Sequence, residues 1–210
     1  KFFLLNAQDR QRIIIALTKG AAMRDARKID LRNPETWEFS GFSQNGEDGI
    51  FDVLSHQLLT RNRYFFEVGA SDGIDNNSGW MVIAEKYAGL MIEGDPNLVD
   101  HASRIVAGYS TGVECKNMFL TRDNAKDLMP LLVYKNPDVF TLDIDGNDYY
   151  IVKSLFESGL RPKICAVEYN SAYEPSKSMT IEYDDRFVFT KTHPTGLYYG
   201  VSVSGWRKFF

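Results

Sequence analysis

The stretch VFTLDIDGND, residues 139–148, places Asp143, Asp145 and Asp148 directly after four strand-forming residues, Val139 to Leu142. An apolar run asks for burial, yet aspartate is rarely fully buried without a partner. The stretch therefore reads as a buried strand whose acidic end opens onto a crevice. Side chains alternate along a strand, so Asp143 and Asp145 are expected on opposite sides unless the chain has already turned at Gly146. Asp148 opens the next helix, where a carboxylate suits the helix N-terminus. If the following strand is a neighbour, Asp143 lies beside Glu168, with Asn170 on the same face as Glu168. Two carboxylates that close repel, and either a proton or a hard divalent cation removes the conflict. Asp143, Glu168 and Asn170 are thus candidate ligands for Mg²⁺ or a similar ion, with Asp145 as candidate general base.

Other strand ends carry similar chemistry. One reads Glu67-Val68-Gly69-Ala70-Ser71-Asp72-Gly73, and the next ends Glu93-Gly94-Asp95. A carboxylate at a strand end is more often a cap or a surface group, but four polar ends on neighbouring strands are harder to dismiss. Gly69 and Gly73 allow a tight turn and close backbone approach to a ligand. The spacing is not the G-x-G-x-x-G of dinucleotide enzymes, and no helix starts directly on the loop to face a pyrophosphate. Glu93 suits the two hydroxyls of an adenosine ribose. The pattern favours a nucleoside with a charged, phosphate-free tail, such as S-adenosylmethionine.

The elements that must position these groups alternate. Residues 9–29 and 45–59 read as helices, the second capped by Asn45 with Asp48 three residues on. Strands are expected at 63–70, 88–95, 112–120, 138–146 and 163–170. Helices fall between them at 76–87, at 95–108 with Asp95, Pro96 and Gly108 as its punctuation, at 124–135 around Pro130, and at 148–159. On the helix at 95–108 the buried face is read as Leu98, Ala102, Ile105 and Val106. Alternating strand and helix with apolar strand bodies predicts an α/β fold, a Rossmann-like, mostly parallel sheet with helices on both faces. In such sheets the ligand lies beyond the carboxyl ends of the strands. A long loop at 171–199 precedes a final helix that begins within 198–210.

With 210 residues, 44% hydrophobic and 25% charged, the chain has an ordinary globular composition. A net charge of −4 offers no global basic field for nucleic acid or an anionic membrane. Cys115 and Cys165 lack zinc-ligand spacing and read as reduced core thiols. No apolar run is long enough to span a bilayer, and a cytoplasmic location is expected. KFFLL at the start reads as the beginning of the first helix or a fusion remnant. The basic helix after it reads as a solvated face covering the sheet edge. His56 and His101 read as surface or packing residues, and His193 as a loop residue that could approach a substrate. Tyr149, Tyr150, Tyr169, Tyr173, Tyr198 and Tyr199 gather around the later strand ends as packing residues or as an acceptor platform.

The segments SQNGED (43–48), FFEVGASDGIDNNS (65–78), LMIEGDP (90–96), LDIDGND (142–148) and VEYNS (167–171), in this order, resemble the FkbM-like branch of the class I S-adenosylmethionine-dependent methyltransferases. YYGVSVSGW (198–206) resembles the lead into that family's last helix, so the resemblance covers roughly residues 40–206. It implies a first segment at 1–40 and a methyltransferase domain at 41–210 that lacks the family's last two strands. It implies that Glu67, Gly69, Ser71, Gly73, Asn76, Asn77, Glu93 and Asp143 surround S-adenosylmethionine, with Asp143 near the transferring methyl group. The SQNGED element would line the same cleft. Ser71 stands where the family has a third glycine and narrows the loop. The implied reaction is methyl transfer to a hydroxyl of a small molecule or glycan, with no nucleic-acid partner and an oligomer allowed. Two rival readings are a non-catalytic scaffold of the same fold and a metal-dependent glycosyltransferase using D-x-D. A haloacid-dehalogenase reading fails because Asn147 replaces the required Thr and the motif comes late.

Overall fold

A computed structural model describes residues 5–189 and 196–210. His193 and residues 1–4 lie outside the described residues. The chain runs α1 (Ala7–Ala26), a short 3-10 turn (Pro34–Trp37), α2 (Glu47–Gln57), β1 (Tyr64–Val68), α3 (Gly79–Ile83), β2 (Ala88–Glu93), α4 (Pro96–Ala107) and β3 (Val113–Asn117). A 3-10 segment (Ala125–Leu131) follows, then β4 (Val139–Leu142), α5 (Asp148–Glu157), β5 (Ile164–Val167) and α6 (Val203–Phe209). The five strands form one parallel sheet in the order β3-β2-β1-β4-β5. The order reverses beside β1, as in the doubly wound Rossmann arrangement that the alternation predicts.

The chain divides into two compact units. The first holds residues 1–119 with 136–141 and 162–165, and α1 is part of it with β1, β2 and β3. The second holds residues 120–135, 142–161 and 166–210.

Within the first unit, all five residues of β1 are buried, which suits its apolar residues and leaves Glu67 as a buried carboxylate within the strand. Phe66 stacks on Phe140 with ring centroids 5.2 Å apart, joining β1 to β4. Asp138, with no exposed surface, ties three chain segments together. Its carboxylate accepts the backbone N–H groups of Asn62 and Arg63 at 3.0 and 2.9 Å and pairs with Lys163 Nζ at 2.6 Å. A buried carboxylate persists only with such partners. α4 begins and ends as read, with the Asp95 side chain accepting the Asn97 N–H, Pro96 in the first turn and Gly108 at its close. Its buried face is Val99, Ala102, Ile105 and Val106; Leu98 is replaced there by Val99.

Two helices differ from expectation. α2 starts at Glu47 because Gly46, at φ 90°, takes the N-cap position, and Asn45 makes no side-chain cap. α3 covers only Gly79–Ile83 of the expected 76–87, because Asn76, Asn77 and Ser78 bind a strand carboxylate instead of continuing a helix. In the second unit, the segment around Pro130 is a 3-10 helix, since proline removes a donor that an α-helix needs. α6 closes the described chain with its N-cap Ser202 accepting from Gly205. Among the described residues no helix is long and apolar enough to cross a membrane. Both cysteines are unbridged and partly buried, and burial pushes Cys115 up to about 11 and Cys165 up to about 12.

Candidate functional site

In the first unit the chain leaves β1 through a turn held in left-handed conformations, with φ of 85° at Gly69, 50° at Ser71 and 78° at Gly73. The N–H groups of Gly69 and Ala70 both donate to Ile92 O, at 2.9 and 3.1 Å, which locks the turn to the end of β2. Ser71 adopts a conformation that costs a residue with Cβ about 1 kcal/mol. Its N–H donates to Glu93 Oε2 at 2.9 Å, and that bond helps hold it. Glu93 Oε1 accepts the Asp95 N–H at 3.0 Å. Each carboxylate oxygen has two acceptor sites, so one on each remains for a ligand at this half-exposed residue. Gly73 has a different reason from the one expected. A Cβ there would lie 2.8 Å from the backbone of Ala102, so glycine lets the turn sit on α4 rather than on a ligand.

Glu67 is buried inside β1, and its carboxylate organises the loop that follows. It accepts Asn77 N–H at 2.9 Å, Asn76 Nδ2 at 3.0 Å and the Ser78 hydroxyl. The loop thus reaches Asn76 and Asn77 through Glu67, a link that spacing alone does not reveal. Asn76 Oδ1 stays buried without a donor. In the same unit the SQNGED element is built around Asp48, which is buried at the start of α2. Its Oδ2 accepts the N–H groups of Gly41, Phe42 and Ser43 at 2.7–3.0 Å, while its own N–H donates to Ser43 Oγ at 3.0 Å. Burial outweighs these bonds and pushes Asp48 up to about 6.

The three aspartates that end β4 divide their work in the second unit. Asp148 is fully buried and accepts the N–H groups of Gly146 and Ile144 at 2.7 and 3.2 Å. It closes the turn as expected of a helix-opening carboxylate, and burial pushes it up to about 7. β4 ends at Leu142, and Asp145 sits at φ 51°, so the alternation expected for Asp143 and Asp145 is broken before Gly146. One oxygen each from Asp143, Asp145 and Glu168 lies within 4.8 Å of the others. Glu168 is placed there by parallel pairing, its N–H donating to Leu142 O at 3.2 Å. Burial and the charges of Asp143, Asp145 and Asp148 push Glu168 up to about 9, and it shares a hydrogen bond with Asp143. Burial also raises Asp145, which no hydrogen-bond donor serves among the described residues.

Of the expected ligand set, Asp143 and Glu168 lie together, while Asn170 is engaged by other partners. Asn170 is buried, with Nδ2 donating to Leu197 O and Tyr199 O at 2.9 and 3.0 Å and Oδ1 accepting the Ala172 N–H at 2.9 Å. It pins the loop at 197–199, and Asp145 stands with Asp143 and Glu168 in the acidic cluster. Tyr199 faces this charge: burial first, then Glu168, Asp145 and Asp143, raise its phenol. Tyr150 donates to Ile181 O at 2.9 Å and Tyr149 packs on Trp206 and Phe209, so these two are packing residues. Tyr169 is exposed. His56 is half-exposed beside the Asp52 carbonyl, whereas His101 pairs with Asp9 at 2.8 Å, a partnership 92 residues long that the sequence does not signal.

No family model matches the chain, and no curated protein matches it. Among solved structures, the chain is similar to the O-methyltransferase from Bacillus cereus in complex with SAH, with a TM-score of 0.43, 15% identity, and 72% of this chain and 61% of that one covered. It is similar to the SAH-bound Podospora anserina methyltransferase PaMTH1, with a TM-score of 0.43, 15% identity, and 77% and 70% covered. It is also similar to the METTL16 MTase domain, with a TM-score of 0.43, 12% identity, and 80% and 68% covered. The chain thus spans less than two thirds of the Bacillus cereus enzyme.

Proposed function

We propose that the chain is an S-adenosylmethionine-dependent methyltransferase of the FkbM-like kind that methylates a hydroxyl oxygen on a small molecule or glycan. The observation that carries this reading is the turn from Gly69 to Gly73 tied to a half-exposed Glu93. Glu93 ends β2 with an unused acceptor site on each oxygen, which suits the paired hydroxyls of a ribose. No helix N-terminus follows the turn directly, since α3 begins only at Gly79, so nothing there is built for a pyrophosphate. A nucleoside whose charge lies on sulfonium, ammonium and carboxylate groups meets these conditions.

Methyl transfer needs an in-line approach and removal of one proton from a hydroxyl acceptor. Asp145, lacking a donor and raised by burial, is the group suited to take that proton. Burial and the charges of Asp143 and Asp145 push Glu168 up, so a proton or a cation at this cluster relieves the conflict. The buried Glu168 Oε2, which has no hydrogen-bond partner among the described residues, and the close oxygens of Asp143 and Asp145 fit a hard divalent cation such as Mg²⁺. Such an ion would orient an acceptor oxygen and lower its pKa. A cytoplasmic small-molecule enzyme accords with the net charge of −4. Titrating S-adenosylhomocysteine calorimetrically, then following its release from methyl-labelled S-adenosylmethionine across a panel of hydroxyl compounds, tests the reading. Absence of binding removes it; binding with release only from amine acceptors removes the oxygen specificity.

A further inference from the structure

The turn after β1 is also held from the N-terminal side of the first unit. Arg12 on α1 donates Nη1 to Asp72 Oδ2 at 2.6 Å. Asp72 Oδ1 in turn accepts the N–H groups of Ile74 and Asp75 at 2.9 and 3.0 Å. From α4, His101 Nε2 meets Asp9 Oδ2 of α1 at 2.8 Å, and its Nδ1 lies 3.9 Å from Asp72 Oδ2. Asn6 Nδ2 donates to the same Asp9 oxygen at 2.7 Å and Asn6 Oδ1 accepts the Asp9 N–H, so the first turn of α1 is itself fixed.

These pairs are not loose surface contacts. The side chains of Asp9 and Asp72 are only 9% and 17% exposed. Burial works against the Asp72 anion, but the N–H groups of Asp75 and Ile74 and the Arg12 guanidinium outweigh it and hold its carboxyl below the usual range. α1 has no freedom to slide beneath them. Ile13 is fully buried, and a Cβ at Gly20 would lie 2.5 Å from the Trp80 ring. Arg24 and Arg27 pair with the buried Asp52, which fixes the far end of the helix. A basic helix that reads in the sequence as a solvated cover therefore has Arg12, Arg24 and Arg27 committed inward, Arg12 to the turn, while Arg10 and Lys19 stay exposed.

We propose that α1 is a positioning element of the adenosyl-binding turn: Arg12, with His101 beside it, holds Asp72, and Asp72 fixes the backbone of 74–75 that leads into Asn76 and Asn77. Arg12 is a positioning residue, since it acts through Asp72. The identity of the ligand rests on the proposed methyltransferase reading, whereas the coupling between α1 and the turn does not.

The test uses the full chain, with Arg12→Ala, Arg12→Lys and Asp72→Asn. Asp72→Asn keeps an oxygen for Ile74 and Asp75 but removes the charge that Arg12 holds. Amide hydrogen exchange is read residue by residue, and S-adenosylhomocysteine affinity is read by calorimetry. Arg12→Ala and Asp72→Asn should speed exchange at Ile74 and Asp75 and weaken binding about five- to tenfold, the scale of one partly shielded charged hydrogen bond. Arg12→Lys should restore most of both. Unchanged exchange at 74 and 75 in Arg12→Ala overturns the proposal. A rise spread evenly over β1, β2 and β3 overturns it as well, since that marks a merely structural helix. If the unaltered chain fails to bind S-adenosylhomocysteine while exchange at 74 and 75 responds to Arg12→Ala, the coupling stands and the cofactor reading falls.

Discussion

Glu67 in β1 and Glu168 just after β5 are carboxylates of similar setting and opposite condition. Glu67 is buried and served by Asn76, Asn77 and Ser78. Glu168 has one buried oxygen without a hydrogen-bond partner among the described residues and stands among Asp143 and Asp145. A carboxylate surrounded by donors is a framework part: it shapes a loop and has little capacity left. One surrounded by other carboxylates stores a conflict that a proton, a cation or a substrate can relieve. The same division separates Asp148 from Asp143 and Asp145 within six residues of chain.

Removing the framework carboxylate should have the largest effect. Glu67→Ala leaves three donors without an acceptor, so we expect about 3–5 kcal/mol of lost stability. That is a fall in Tm of roughly 10 °C or more by calorimetry, with loss of S-adenosylhomocysteine binding as a consequence. A Tm within a degree or two of the parent would show that the loop is held by other contacts and would erase the contrast. Glu93 sits between the two conditions, half satisfied and half open. Glu93→Ala should weaken S-adenosylhomocysteine by about 1.5–3 kcal/mol, or some 10- to 150-fold, while leaving the fold intact.

The conflicted cluster should respond to pH in the opposite sense from a salt-bridged acid. Glu168 is pushed up to about 9 in the folded chain from an ordinary value near 4.5, so the folded state binds the extra proton between those values. Stability contributed by Glu168 is then complete at low pH and is lost as pH rises towards 9. Glu168→Gln should flatten that slope and raise Tm at pH 8. After allowance for solvent at this half-exposed group, the gain is about 1 kcal/mol, or 2–4 °C. A lower Tm at pH 8 would mean that the carboxylate is not under strain. The smallest expected effect is that of the cation. Mg²⁺ at three times its dissociation constant should add about 0.8 kcal/mol to the unaltered chain and nothing to Asp143→Asn. Equal shifts in both proteins would place the ion elsewhere.

The sequence shows β2, β4 and β5 clearly because each is a short, mainly apolar run, and the α4 boundaries because Asp95, Pro96 and Gly108 act locally. It misplaces α3 because the fate of residues 76–78 is decided by Glu67, about ten residues earlier in the chain and on another element. It places Asp143 beside Glu168 from strand pairing alone. It does not reveal that Asp145 joins the acidic cluster or that Asn170 is engaged by the loop at 197–199, because both depend on backbone detail, a φ of 51° at Asp145 and the return of that loop at Asn170. Periodicity carries no information about either. The link from Arg12 to Asp72 spans 60 residues between two charged positions among many, and no local rule selects it.

Asp138 carries a consequence for the order in which the chain assembles. Its partner Asn62 lies 76 residues away, whereas β1, β2 and β3 follow one another and can pair without waiting. Closing so long a loop costs entropy that grows as the logarithm of its length, and no bond at Asp138 repays it until β4 has arrived. The clasp therefore forms late, and its energy is spent mainly on slowing escape from the native state. Asp138→Asn should speed unfolding in a denaturant chevron while leaving the refolding limb nearly unmoved, and a slowed refolding limb would assign the clasp to the folding nucleus instead.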